Sequence, residues 1–211
     1  MSLLRAAATV SSLTLLSRIT GLARDIIIAR AFGAGALTDA FWVAFRIPNL
    51  LRRLFAEGAF AQAFVPILGE VRNQHESEAV KILLDRVALT LFFVLCLIAL
   101  LGIIGAPWVV MAMASGLAEP NRTEDFLAAV WMTRVMFPYI ICMSLIAFAS
   151  GVLNTWKRFA VPAATPVLLN LSMISAAWLL APWFGQRGIE PIYAMGVGVM
   201  VGGVLQLAVQ I

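Results

Sequence analysis

The chain reads as long apolar runs punctuated by short polar or glycine-containing connections, with no sustained alternation of apolar and polar residues. Runs of that length suit membrane-spanning helices, which satisfy their own backbone in lipid, and the missing alternation argues against a transmembrane barrel. The pattern predicts a first span over about Ser11 to Phe32, a turn at Gly33-Ala34-Gly35, and a second span from near Asp39 with Thr38 or Asp39 as its cap. Pro48 is expected to kink that second span. From Ile67 to Asp85 the chain is charged and mildly amphipathic, which predicts a cytoplasmic connection with an interfacial helix on which Glu70, Glu76, Glu78 and Lys81 are solvated. A third span follows from about Val87 to Met113, bent at Pro107, and Ser115 to Asp125 reads as an outside loop. The fourth span, about Phe126 to Leu153, holds Arg134 and Pro138; that arginine either faces a cavity or snorkels outward. The fifth covers Pro162 to Phe184, and the sixth starts near Pro191 and carries Gly198 and Gly202 as a GxxxG, a weak packing signal. The prediction is an all-α polytopic membrane bundle of about six transmembrane helices.

Composition agrees: 62% of the 211 residues are hydrophobic and 12% charged, with a mean hydropathy of +0.96, against roughly 45–50% apolar and about 25% charged in soluble domains. The net charge of +4 does not point to nucleic acid, because Arg and Lys lie within or beside the apolar runs and form no soluble basic face. Membrane topology accounts for them. Arg5, Arg52, Arg53, Arg72, Lys81, Arg86, Lys157 and Arg158 fall on one side if both ends of the segment are cytoplasmic, and the positive-inside rule selects that orientation. Cys96, Cys142 and the single His75 lack ligand or catalytic spacing, so neither a metal nor a cofactor is expected. The last residues, QLAVQI, show no helix stop, which points to a fragment of a longer chain.

Charges inside the first two spans call for a reason, since an ionisable side chain at mid-bilayer costs about 2.5–3.5 kcal/mol on insertion scales. SRITGLARDIIIAR carries Arg18, Arg24, Asp25 and Arg30, and TDAFWVAFRIPNLLRRLFAEGAFAQAFVP carries Asp39, Arg46, Arg52, Arg53 and Glu57. At about 100° per residue, Arg18, Gly21 and Asp25 share a face and Arg24 lies roughly 60° from Gly21. Gly21 either permits a bend or a close ligand approach, or is an ordinary glycine of a spanning helix. Arg52 or Arg53, but not both, should turn inward. The first two helices therefore read as walls of a cationic cavity, with Glu57 the one acid near Arg52, and the later helices as its frame.

SRITGLARD, TDAFWVAFRIPNLLRRLFAEGAFAQAFVP and NTWKRFAVPAATPVLLN resemble the MviN family of bacterial lipid II flippases, within the multidrug/oligosaccharidyl-lipid/polysaccharide exporter superfamily. The resemblance covers the whole chain and implies the N-terminal six-helix lobe, residues 1–211, of a two-lobe inner-membrane transporter. It also implies alternating-access movement of an undecaprenyl-diphosphate-linked peptidoglycan precursor, with membrane lipids and a second lobe as partners. Matched motif by motif, it makes Arg18, Arg24 and Arg52 substrate-binding and associates Asp25 and Asp39 with the cavity or its gate. Arginine suits a diphosphate because its planar fork stays protonated and can bind phosphate bidentately. Two other classes compete. A related polysaccharide-lipid flippase or exporter shares the fold, and a membrane-embedded transferase requires an acidic pair or metal site that the sequence lacks. A purely structural module has no need of three buried arginines. No nucleotide motif is visible, so no ATPase activity is implied.

Overall fold

The computed structural model describes residues 3–52, 64, 66–70, 77–117 and 119–211. Helix α1 (Leu3–Phe32) runs unbroken through Gly21 and ends at Gly33, whose φ of 67° is the left-handed conformation that glycine adopts at a helix C-terminus. Helix α2 (Ala36–Arg52) starts three residues before Asp39, whose N–H is already bonded to the Gly35 carbonyl. Thr38 and Asp39 thus lie in its first turn and do not cap it. The helix includes Pro48 and reaches Arg52.

Helix α3 (Ser77–Ile104) joins the charged stretch before Val87 to the third span in one element. No glycine or proline separates Asp85 from Val87, so the expected interfacial helix continues into the membrane. Near Pro107 the span breaks: α4 (Ala106–Met113) begins after Gly105. Beyond two short 3₁₀ turns come α5 (Thr123–Met136) and α6 (Tyr139–Thr155), divided at Pro138. Helix α7 (Ala160–Ser175) passes through a π-turn at Ala176–Leu180 into α8 (Ala181–Gly185), and α9 (Tyr193–Gln210) closes the bundle.

Among the described residues four helical stretches are long and apolar enough to cross a membrane: Glu78–Ile104, Thr123–Thr155, Ala160–Gly185 and Tyr193–Gln210. Helix α1 has the length but carries Arg18, Arg24, Asp25 and Arg30, and α2 has 17 residues. The main core gathers Ile28 of α1, Phe41 of α2, Met132 of α5, Tyr139 of α6, Met173 of α7 and Met195 of α9. Outward-facing Phe93, Leu97, Leu101, Trp108 and Leu179 are exposed, as expected of side chains that meet lipid instead of water.

Helix α7 packs most extensively on α9 and α1. The GxxxG supplies the first of these contacts. A Cβ on Gly198 would lie 2.7 Å from Ala176 Cβ, and one on Gly202 would lie 2.8 Å from Leu169 Cδ1, so only glycine allows this approach. Ser172 Oγ donates to the Gly198 carbonyl across the same seam at 2.7 Å.

Candidate functional site

The seam between α1 and α7 holds the charge cluster. Arg24 lies eight residues before the end of α1, about 12 Å along the axis, and its side chain is 15% exposed. Nε and Nη2 both donate to Asp25 Oδ1, at 2.9 and 2.7 Å. Nη1 donates to Asn170 Oδ1 at 2.9 Å and lies 4.0 Å from Met173 Sδ. Asn170 is buried on α7, and its Nδ2 donates to the Ser17 carbonyl and to Thr20 Oγ1, each at 3.0 Å. One amide thereby joins two turns of α1 to the guanidinium. Because such a group in an apolar environment must find partners or lose several kcal/mol of hydration, the amide and guanidinium fix each other's position.

The predicted residues divide accordingly. Arg24, Asp25 and Gly21 come together with Asn170; a Cβ on Gly21 would sit 3.5 Å from Asn170 Nδ2, an ordinary contact, so the seam itself does not demand glycine there. Arg18 is exposed on α1, about 120° around the helix from Arg24. Asp39 and Arg46 are both exposed on α2, opposite its buried Phe41 and Ala44. Arg52 is the last residue of α2, and its side chain, with Arg53 and Glu57, lies outside the described residues. Arg134 is exposed, and its Nε donates to the Ile103 carbonyl at 3.3 Å.

Asn170 was missed by the residue-by-residue reading, although it closes the motif NTWKRFAVPAATPVLLN and is the only amide side chain in α7. A second polar group escaped notice as well. Ser150 of α6 donates to Gln210 Oε1 at 2.9 Å, Gln210 Nε2 to Thr165 Oγ1 at 3.1 Å, and Gln206 Nε2 to the Thr165 carbonyl at 2.9 Å, which ties α6, α7 and α9 together. Among the described residues no group of His, Cys, Asp or Glu is arranged to hold a metal.

The model of the family described as lipid II flippase MurJ matches residues 28–211. The chain belongs to the MurJ family. It is 56% identical over 211 residues to the lipid II flippase MurJ of Burkholderia cenocepacia, covering 100% of this chain and 40% of that protein. It is 38% identical over 214 residues to the probable lipid II flippase MurJ of Vibrio cholerae, covering 99% of this chain and 40% of that protein. The fold is similar to a solved structure titled lipid II flippase MurJ, inward closed conformation, with a TM-score of 0.77, 27% identity, and coverage of 94% of this chain and 40% of the other. The chain thus spans about 40% of the length of these MurJ relatives.

Proposed function

We propose that residues 1–211 form the N-terminal lobe of an inner-membrane transporter that moves lipid II, and that Arg18, Arg24 and Arg52 line the cavity that receives its diphosphate. Membership of the MurJ family supports the substrate class. Arg24 is the observation that carries the site: a guanidinium set well inside a helix, held at an interhelical seam by Asn170, and presenting its bidentate edge to a neighbouring carboxylate.

That edge has a mechanistic consequence. Nε and Nη2, the pair that would grip a phosphate in parallel, both end on Asp25 Oδ1, so diphosphate capture requires Asp25 to release Arg24. Asp25 has a side chain 50% exposed and can swing into water, whereas Asn170 is buried and keeps Nη1 fixed during the exchange. Asp25 is then a competitor for the substrate's place, and Asn170 a positioning residue. The role is transport, with no covalent step assigned to any residue. The second lobe lies in the remainder of a longer protein, and the orientation has both ends of this lobe in the cytoplasm.

Complementation of a strain depleted of its lipid II flippase tests the assignment in the full-length protein. Lysine keeps the charge but loses the fork, so Arg24→Lys and Arg52→Lys should fail or grow poorly while Arg53→Lys and Arg72→Lys support growth at equal membrane abundance. Equal growth of all four would replace the clamp by a diffuse positive potential, and failure of Arg53→Lys alone would reverse the choice of inward arginine.

A further inference from the structure

Helix α6 ends with the Arg158 N–H bonded to the Leu153 carbonyl and the Lys157 N–H bonded to the Asn154 carbonyl, each at 2.9 Å, the paired bonds of a Schellman stop. The residue that must turn left-handed in that stop is usually glycine. Here it is Lys157, with φ of 60°, the one non-glycine residue at positive φ among those described. The chain accepts a conformation that glycine would adopt without strain and places an ammonium group at the tip of the turn.

Beside this tip is a hollow of about 230 Å³ lined by Lys157, Arg158 and Phe159 together with Thr9 and Val10 of α1. Ala160 and Val161 line it as well and are shared with a second hollow of about 480 Å³, lined by Leu13 and Leu16 of α1, Ala164, Thr165 and Leu168 of α7, and Val209 of α9. From Ala160 to Leu168 the path follows α7 for about 12 Å. Among the described residues no carboxylate lines either hollow. The first turn of α7 starts at the same place and has no side-chain cap. Trp156 and Phe159, both partly exposed, flank the turn as aromatic side chains do at the level of lipid headgroups.

We propose that this groove is a binding site for one anionic glycerophospholipid, with the phosphate at Lys157 and Arg158 and an acyl chain along the apolar slot between α1 and α7. Two cations with no acid facing them among the described residues select net negative charge over a zwitterion, and the largely apolar slot selects a lipid over a soluble anion. The site is distinct from the Arg24 cluster, and the inference rests only on the chain spanning a membrane.

The test uses the full-length protein, purified in detergent and stripped of lipid, titrated with phosphatidylglycerol and with phosphatidylcholine of the same acyl chains, with bound lipid counted by native mass spectrometry. Lys157→Gly is the informative variant, because it removes the charge while supplying the residue the turn prefers, so a loss of binding cannot be assigned to misfolding. With each basic side chain worth roughly fivefold in affinity for an anionic surface, Lys157→Gly should weaken phosphatidylglycerol about fivefold and the double variant with Arg158→Gln about thirtyfold, leaving phosphatidylcholine unchanged. Val161→Trp should weaken phosphatidylglycerol with both charges in place, and Lys81→Gln, an exposed cation elsewhere, should do nothing. The proposal is overturned if the wild type does not prefer phosphatidylglycerol, or if Lys81→Gln costs as much as Lys157→Gly. It also fails if Val161→Trp leaves binding intact, or if undecaprenyl diphosphate displaces the bound lipid at equimolar concentration.

Discussion

Replacing Asn170 by leucine, which has the same branching at Cγ and the same number of side-chain heavy atoms, should separate the frame of the α1–α7 seam from its charges. The substitution removes two donations to α1, to the Ser17 carbonyl and Thr20 Oγ1, and the acceptor of Arg24 Nη1. Interhelical bonds inside membranes average about 0.6 kcal/mol each, and a bond from a charged donor is worth about 1.5–3 kcal/mol. Arg24 keeps Asp25 and some contact with solvent, which moderates the loss, so the expected destabilisation is about 2–4 kcal/mol. Reversible unfolding in mixed micelles measures it. The decisive quantity is the coupling in a double-mutant cycle with Arg24→Met, expected at about 1–2 kcal/mol because one bond connects the two side chains directly. Coupling within about 0.3 kcal/mol of zero would mean that the amide braces only α1 and does not position the guanidinium. In complementation, Asn170→Leu should then impair growth even where its membrane abundance is restored.

At the α7–α9 seam, Gly198→Ala and Gly202→Ala should each cost about 1–3 kcal/mol, since the added Cβ would fall 2.7–2.8 Å from Ala176 Cβ or Leu169 Cδ1, while Gly116→Ala, with nothing within 4 Å, should be neutral in the same thermal melt. Gly21→Ala should also be tolerated, its nearest neighbour being 3.5 Å away; a severe loss would reveal a ligand or helix approach specific to another state. For topology, Asn121→Cys should react with an impermeant maleimide in intact cells and Ser77→Cys only after permeabilisation, and the reverse would invert the orientation. Arg134→Met removes the donor to the Ile103 carbonyl through a long, exposed bond, so it should cost about 1–2 kcal/mol and leave transport intact.

Much of the frame was legible in the chain because its signals are local. Gly33 and Pro107 stand where the sequence expects a turn and a bend, whereas Pro48, expected to kink, lies within a continuous helix, and apolar length marks a span without knowledge of its neighbours. Arg24 was also legible, since a charge in an apolar run advertises its own cost. Asn170 was not. An amide in a spanning helix is inexpensive if it finds partners, and its partners on α1 lie some 150 residues away in sequence. Thr165, Gln206 and Gln210 were hidden for the same reason: each looks like an incidental polar residue until α7 and α9 are placed side by side. The weak GxxxG became informative only with the facing Leu169 and Ala176 in view.

Prolines explain why some of these polar residues sit where they do. A proline inside a helix leaves the carbonyl four residues earlier without its donor, and in lipid no water can replace it. Pro166 orphans the Pro162 carbonyl, and Thr165, the residue immediately before the proline, donates its Oγ1 to that oxygen at 3.0 Å. The Ile103 carbonyl lies in the last turn of α3, just ahead of the break at Pro107, and Arg134 on the neighbouring α5 donates Nε to it at 3.3 Å. Arg134 is therefore used by the frame. The same reasoning sets Arg24 apart. No proline-orphaned carbonyl receives its N–H groups; they end on Asp25, which can leave, and on Asn170, which cannot. A membrane arginine whose donors close gaps in the backbone belongs to the scaffold. One whose bidentate edge is held only by a half-exposed carboxylate is available for exchange, and that difference is why the proposal places the anionic substrate at Arg24 and not at Arg134.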